Sequence, residues 1–106
     1  MDNILTVGPI RLDIQSCSVK MNGKTVRLTP VESRILRFLM EHANTVCTHH
    51  QISLHIWEMS DDVNTRFMIK AHIPHLRQKV EPDPNNPAYI LTVPGEGYTL
   101  VMNPHE

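Results

Sequence analysis

The stretch from Val63 to Val80 constrains the fold more than any other part of the chain. It contains four Lys or Arg residues, two His and no acidic residue, in a chain whose formal net charge is -1. The segment 81–87, with three prolines, cannot continue a helix. The pattern predicts a helix from about Asn64 to Val80. Its predicted apolar side consists of Phe67, Ile69 or Met68, Ile73, Leu76 and Val80.

This predicted helix presents a cationic surface. Opposite charges usually intermix on a protein surface, so an acid-free stretch indicates a surface for an anion. DNA is the polyanion most often met by such a helix, because its major groove admits one. The alternative, a solvated helix face that happens to lack acids, stays open on this segment alone.

Pro74 lies inside the predicted helix. There it removes the hydrogen bond to the Lys70 carbonyl, at a cost of about 3 kcal/mol. Either the helix bends at Pro74, or its first half is irregular and the helix restarts there. We expect a continuous helix with a bend.

The other elements follow from local patterns. The first 28 residues predict a small antiparallel sheet, with Asn22-Gly23 typical of a type I′ hairpin turn. Thr29 with Glu32, and Thr48 with Gln51, form two capping boxes that start helices. Strands from Tyr89 to Val93 and from Tyr98 to Val101 flank a turn with two glycines.

The order of these elements predicts an α+β fold, a winged helix (winged helix-turn-helix). It has an N-terminal antiparallel β-sheet, three helices and a C-terminal β-hairpin wing. We expect a single domain, residues 1–106. No apolar run approaches the roughly 18 residues of a membrane-spanning helix, and no signal peptide is visible. Cys17 and Cys47 indicate two reduced thiols, so we expect a cytoplasmic protein without a membrane partner.

Four short motifs carry a family resemblance. They are Leu28–Glu32 (L-T-x-x-E), Thr48–Trp57 (S/T-x-x-Q-L…V-W), Ala71–Val80 (V-H-I-x-x-L-R-x-K-L) and Ile90–Tyr98 (I-x-T-V-R-G-x-G-Y). In this order and spacing they resemble the C-terminal DNA-binding (effector) domain of OmpR/PhoB-type two-component response regulators.

The resemblance implies sequence-specific binding of double-stranded DNA, at direct-repeat half-sites, in the control of transcription. It implies a recognition helix at about 64–80 in the major groove and a wing at 89–101 near the minor groove. It further implies an upstream receiver domain, outside these 106 residues, whose phosphorylation promotes a homodimer on DNA. The loop 58–63 is implied as a contact for RNA polymerase.

The candidate DNA-binding residues come from the helix and from the motifs. Lys70 and Arg77 lie two turns apart on one helix face, beside His75 and Ala71, and Ala71 suits a thymine methyl group. Arg66 and Lys79, at the helix ends, suit phosphate. The resemblance adds Trp57, His72, Thr92 and Tyr98.

Several arginines of the family pattern are replaced. Phe67 and Met68 stand where Arg-Thr usually opens the third helix, and His49 replaces an arginine after the second cap. Met68 and His49 therefore complete the candidate set. The replacements also support an alternative, a winged-helix protein–protein interaction module with reduced DNA binding that uses Phe67, Met68 and the hairpin.

No enzyme, cofactor or metal site is predicted. His72 and His75 are three residues apart, and His49-His50 follow Cys47, but neither set has a carboxylate at the spacing of a zinc motif. The segment 95–97 precedes a strand, whereas a phosphate-binding loop opens a helix. Neither cysteine has a neighbouring base that would activate it.

Overall fold

The computed structural model describes residues 3–58 and 63–102, and it describes Val63 by its backbone alone. Four short strands lie at the start of the chain. They are β1 (Ile4–Val7), β2 (Ile10–Asp13), β3 (Ser18–Met21) and β4 (Lys24–Arg27). They form an antiparallel sheet in the order β1-β2-β3-β4. Asn22 and Gly23 have φ angles of 52° and 81°, which confirms the predicted hairpin turn.

Three helices follow, and both predicted capping boxes are formed. They are α1 (Pro30–Glu41), α2 (His49–Trp57) and α3 (Val63–Val80). The Glu32 N–H donates to Thr29 Oγ1 at 3.2 Å, and the Thr29 N–H donates to Glu32 Oε1 at 2.8 Å. Thr48 and Gln51 make the same reciprocal bonds at 3.1 and 2.9 Å. These bonds fix where α1 and α2 begin.

α3 runs without interruption through Pro74. The continuity of the expected helix is therefore confirmed and a restart at Pro74 is excluded, while the expected bend at Pro74 stays a prediction. Pro74 is exposed, as is Lys70, whose carbonyl lacks the N–H donor that proline does not have. Water can reach this face of the helix, which reduces the cost of the missing bond.

A second sheet contains a strand that the sequence pattern did not predict. β5 (Cys47–Thr48) pairs with β7 (Gly97–Leu100), and β7 pairs with β6 (Ile90–Val93). The sheet order is β5-β7-β6. The predicted wing hairpin is confirmed within one residue at each strand. A strand of two residues carries no periodicity, so β5 left no signal in the sequence.

The core lies between the N-terminal sheet, the three helices and the wing. Its fully buried members include Leu12, Val19, Ile35, Leu36, Leu39, Ile52, Ile69, Ile73, Leu76, Ile90 and Leu100. The assignment of Phe67 to the buried side of α3 is wrong, because its side chain is 64% exposed. Thr65 is fully buried two residues earlier, and Phe67 points the opposite way.

Glu32 links α1 to α3 through a buried carboxylate. Its side chain is 4% exposed, and Oε1 accepts a hydrogen bond from Lys79 Nζ at 2.6 Å. Burial alone raises the pKa of Glu32, but the bonds from Lys79 and Thr29 and the charge of Lys79 outweigh it and hold the pKa below its usual 4.5. The ionised carboxylate therefore stabilises the fold above about pH 4.5, and this contribution is lost as the pH falls below that value.

We expect Glu32→Gln to lower the free energy of unfolding by about 1–2 kcal/mol at neutral pH. The amide oxygen still accepts from Thr29, but Lys79 loses its counter-charge. Urea unfolding between about pH 3 and pH 7 measures both effects, and the variant should lose less stability on acidification than the parent. Glu41→Gln is the matched control, because Glu41 pairs with Arg37 at the surface at 3.5 Å. An equal acid response in parent and Glu32→Gln would contradict the assignment.

Candidate nucleic-acid interface

α3 turns one side to the core and the other to solvent. Its exposed residues within the described part of the chain are Asn64, Arg66, Phe67, Lys70, Ala71, Pro74, His75 and Gln78. No acidic residue occurs between positions 63 and 80, so the charges on this exposed side are all positive. The exposed side of α3 therefore has the charge that is typical of a surface for an anion.

A cleft of about 260 Å³ lies between α3, the start of α2 and the wing. It is lined by His49, Arg66, Phe67, Lys70 and Tyr98. His49 is the first residue of α2, where the backbone N–H groups of the first turn favour negative charge. Its ring meets Tyr98 edge-on, with centroids 5.8 Å apart. Four of the candidate residues, from three separate elements, therefore meet in one place.

Arg77 connects α3 to the wing. Its Nε donates to the Ile90 carbonyl at 3.0 Å, and its Nη2 donates to Thr92 Oγ1 at 2.9 Å. These two candidate residues, Arg77 and Thr92, thus bind each other in the chain itself. Arg77 keeps its charge beside the cleft, but it also sets the position of β6 against the helix.

Glu81, just past the end of α3, holds the start of β6. Its buried carboxylate accepts backbone N–H bonds from Ala88, Tyr89 and Ile90 at 2.7–3.1 Å. The sequence pattern predicts no role for Glu81, because the three donors lie seven to nine residues away across a loop. Together with Arg77, Glu81 fixes the wing relative to α3.

Tyr98 is only 5% exposed, although its ring lines the cleft. Burial raises the pKa of its phenol, and the nearby charge of Arg77 offsets only part of that rise. The hydroxyl therefore stays protonated at neutral pH and can donate a hydrogen bond.

The remaining candidates are spread along the other flank of α3. Trp57 and His72 are both half-buried, and their ring centroids are 6.3 Å apart. Met68 is also half-buried, whereas Ala71 and His75 are exposed. Lys79 is engaged with buried Glu32, so its geometry gives no support to the expected phosphate contact.

The loop 58–63, expected to meet RNA polymerase, falls almost entirely outside the described residues, since only Glu58 is described in full. Cys17 and Cys47 are both free, and burial raises the pKa of the Cys47 thiol. Within residues 3–58 and 63–102, no three His, Cys, Asp or Glu side chains are grouped as metal ligands. Among the same residues, no helix is long and apolar enough to span a membrane.

A three-helix core with a cationic third helix beside a β-hairpin defines a winged-helix domain of the nucleic-acid-binding class. Residues 23–100 match the family described as transcriptional regulatory protein, C terminal. The chain belongs to this family, which confirms the resemblance to OmpR/PhoB-type effector domains. The family consists of transcriptional regulators, so the expectation that the chain is not an enzyme is also confirmed.

Several relatives and solved structures are similar to the chain. The sensory transduction protein RegX3 of Mycobacterium tuberculosis is 36% identical over 99 residues, which cover 93% of this chain and 43% of RegX3. DrrB of Thermotoga maritima, an OmpR/PhoB homologue, superposes with a TM-score of 0.77 at 31% identity, over 93% of this chain and 44% of DrrB. The AdeR DNA-binding domain, in complex with an intercistronic region, superposes with a TM-score of 0.72 at 27% identity, over 91% of this chain and 96% of the AdeR domain. The chain therefore spans less than half the length of RegX3 and of DrrB.

Proposed function

We propose that the chain binds double-stranded DNA in a sequence-specific manner, as the effector domain of a two-component response regulator that controls transcription. α3 lies in the major groove, and the wing lies near the adjacent minor groove. The cationic cleft between them is the observation that carries the proposal. None of the five residues that line it is acidic, and two of them, Arg66 and Lys70, are cations on exposed positions of α3.

Contacts to the DNA divide according to where the side chains lie. His49, Arg66, Lys70 and Tyr98 surround the cleft and bind backbone phosphates, which position the domain. Ala71 and His75 project from α3 toward base edges. Arg77 and Thr92 support the wing, and Lys79 is left out of the interface because it neutralises Glu32. The AdeR DNA-binding domain, which has the same fold, forms a complex with an intercistronic region, and this supports DNA binding by the present chain.

The same proposal makes the chain part of a longer regulator. RegX3 is more than twice as long as the matched region, which leaves room for an upstream receiver domain. Phosphorylation there promotes a homodimer on direct-repeat half-sites, and the loop 58–63 contacts RNA polymerase. Such a regulator acts in the cytoplasm, where the bacterial chromosome lies.

A binding assay with charge-matched variants tests the proposal. Duplexes retained from a pool of genomic fragments are titrated with the parent, with Lys70→Ala and with Lys20→Ala. Lys70 is on the exposed face of α3, while Lys20 is exposed on β3 of the N-terminal sheet. Lys70→Ala should weaken binding about tenfold at about 0.1 M salt, because one phosphate contact is lost. Equal losses in both variants, or no retained duplex with the parent, would overturn the proposal.

The salt dependence of binding reports how many cations meet phosphate. The acid-free helix carries four Lys or Arg residues, and Lys79 is compensated by Glu32, so at most three of them meet phosphate. At pH 8 the slope of log K against log salt should therefore be no steeper than about -3 for each bound chain. Lys70→Ala should reduce the slope by about 1. A slope near -6 for a single bound chain would contradict this count.

The alternative, a protein–protein interaction module, is favoured by one observation, the exposed Phe67 ring. If the parent retains no duplex, and sedimentation shows self-association that Phe67→Asn abolishes, this alternative replaces DNA binding. The replacement of several arginines of the family pattern is compatible with both functions and does not discriminate between them.

A further inference from the structure

From Phe67 to Pro74, the line of α3 farthest from the core is apolar, and exposed Gln78 continues the same line one turn later. At about 100° per residue, Phe67, Ala71 and Pro74 fall within about 60° of one another around the helix axis. Buried Leu76 lies on the opposite side, about 180° from Phe67. Phe67, Ala71 and Pro74 are all exposed, and together they form the apolar ridge of α3.

The charges of α3 lie beside this ridge and not on it. Arg66 and Lys70 fall about 60–100° to one side of Phe67, where both line the cleft. His75 falls about 80° to the other side. When the exposed face enters a groove, the ridge therefore reaches deepest, and Arg66 and Lys70 meet the groove wall, where the phosphates are.

We infer that the apolar ridge recognises thymine through its 5-methyl group; this inference rests on the proposed DNA binding. The side chains of Phe67, Ala71 and Pro74 have no hydrogen-bonding group, so they cannot read donors and acceptors on base edges. Thymine is the one base that presents a methyl group in the major groove, and alanine and phenylalanine are suited to contact it. The ridge thus specifies thymine by burial of apolar surface.

The length of the ridge sets how many bases it reaches. Phe67 and Pro74 are seven residues apart, which corresponds to about 10 Å along the helix axis. At about 3.4 Å for each base step, the ridge covers about three consecutive positions. Sites bound by this domain should therefore contain a short thymine-rich stretch on the strand that faces the ridge.

Removal of single methyl groups from the DNA tests the inference. Duplexes are enriched from a random-sequence library with the parent chain, and each thymine of the best site is then replaced by deoxyuridine, which lacks only the methyl group. Each replacement under the ridge should weaken binding by the parent about threefold to fourfold, the effect of one buried methyl group. In the Phe67→Asn variant, deoxyuridine in place of the thymine opposite residue 67 should not change the affinity, because the apolar partner of the methyl group is gone.

Leu54→Asn is the matched control, since Leu54 is 54% exposed on α2 and takes no part in the cleft. It should keep the affinity of the parent and the same response to deoxyuridine. Thermal unfolding of both variants confirms that they are folded. If the parent binds thymine and deoxyuridine sites equally, the inference is overturned while DNA binding stands. If Phe67→Asn weakens both kinds of site and keeps the same response to deoxyuridine, the ridge does not read the methyl group. If no duplex is enriched, the proposed function itself is wrong, and the inference falls with it.

Discussion

Gly97→Ala should lower the free energy of unfolding by about 3 kcal/mol and sharply weaken any DNA binding. A Cβ at Gly97 would overlap the carbonyl oxygen of Cys47 and lie 2.9 Å from the Thr48 Cα, both backbone atoms of β5. Because these atoms cannot rotate away, β7 and β5 must separate. The wing then loses its attachment to the residue that caps α2.

Gly95→Asn is the matched control for Gly97→Ala. Gly95 lies in the turn with a φ of 76°, and a Cβ there has nothing within 4 Å. Asparagine tolerates this left-handed conformation, so the variant should lose no more than about 1 kcal/mol. Urea unfolding of both variants makes the comparison. Similar losses in the two proteins would mean that backbone freedom, and not the close approach to β5, explains Gly97.

Glu81→Ala should cost about 3 kcal/mol of folding free energy, because it leaves three backbone N–H groups without their acceptor. The N–H of Ile90 is the most severely affected, since this residue is fully buried. Amide hydrogen exchange should therefore accelerate most at Ile90, while amides in the N-terminal sheet exchange as in the parent.

The matched control for Glu81→Ala is Glu96→Ala, which removes an exposed carboxylate from the wing turn. It should change the unfolding free energy by less than about 0.5 kcal/mol. Unchanged exchange at Ile90 in Glu81→Ala would show that the carboxylate does not hold β6.

Local signals in the sequence predicted most of the fold. The capping boxes of Thr29 and Thr48 and the hairpin at Asn22-Gly23 act through residues at most three positions apart, so the pattern contains the whole interaction. Pro74 was correctly placed inside a continuous helix. The order of these elements predicted the winged helix, and the family motifs added the resemblance to response-regulator effector domains.

Interactions between distant residues could not be predicted in the same way. Lys79 pairs with Glu32 across 47 positions, and Arg77 bonds to Thr92 across 15, so two candidate DNA-binding residues have partners within the chain. The two glycines of the wing were both assigned to its turn, but only Gly95 has a positive φ. Phe67 was assigned to the core because it is apolar, and only its direction on α3 corrected this.

The short strand β5 makes the start of α2 and the wing a single body. His49 donates its N–H to the Glu96 carbonyl at 3.0 Å, next to the pairing of Thr48 with Gly97. The cleft is therefore preorganised, and little conformational entropy is lost in ordering it when DNA binds. Free and bound forms of this region should superpose within about 1 Å, as lock-and-key partners do.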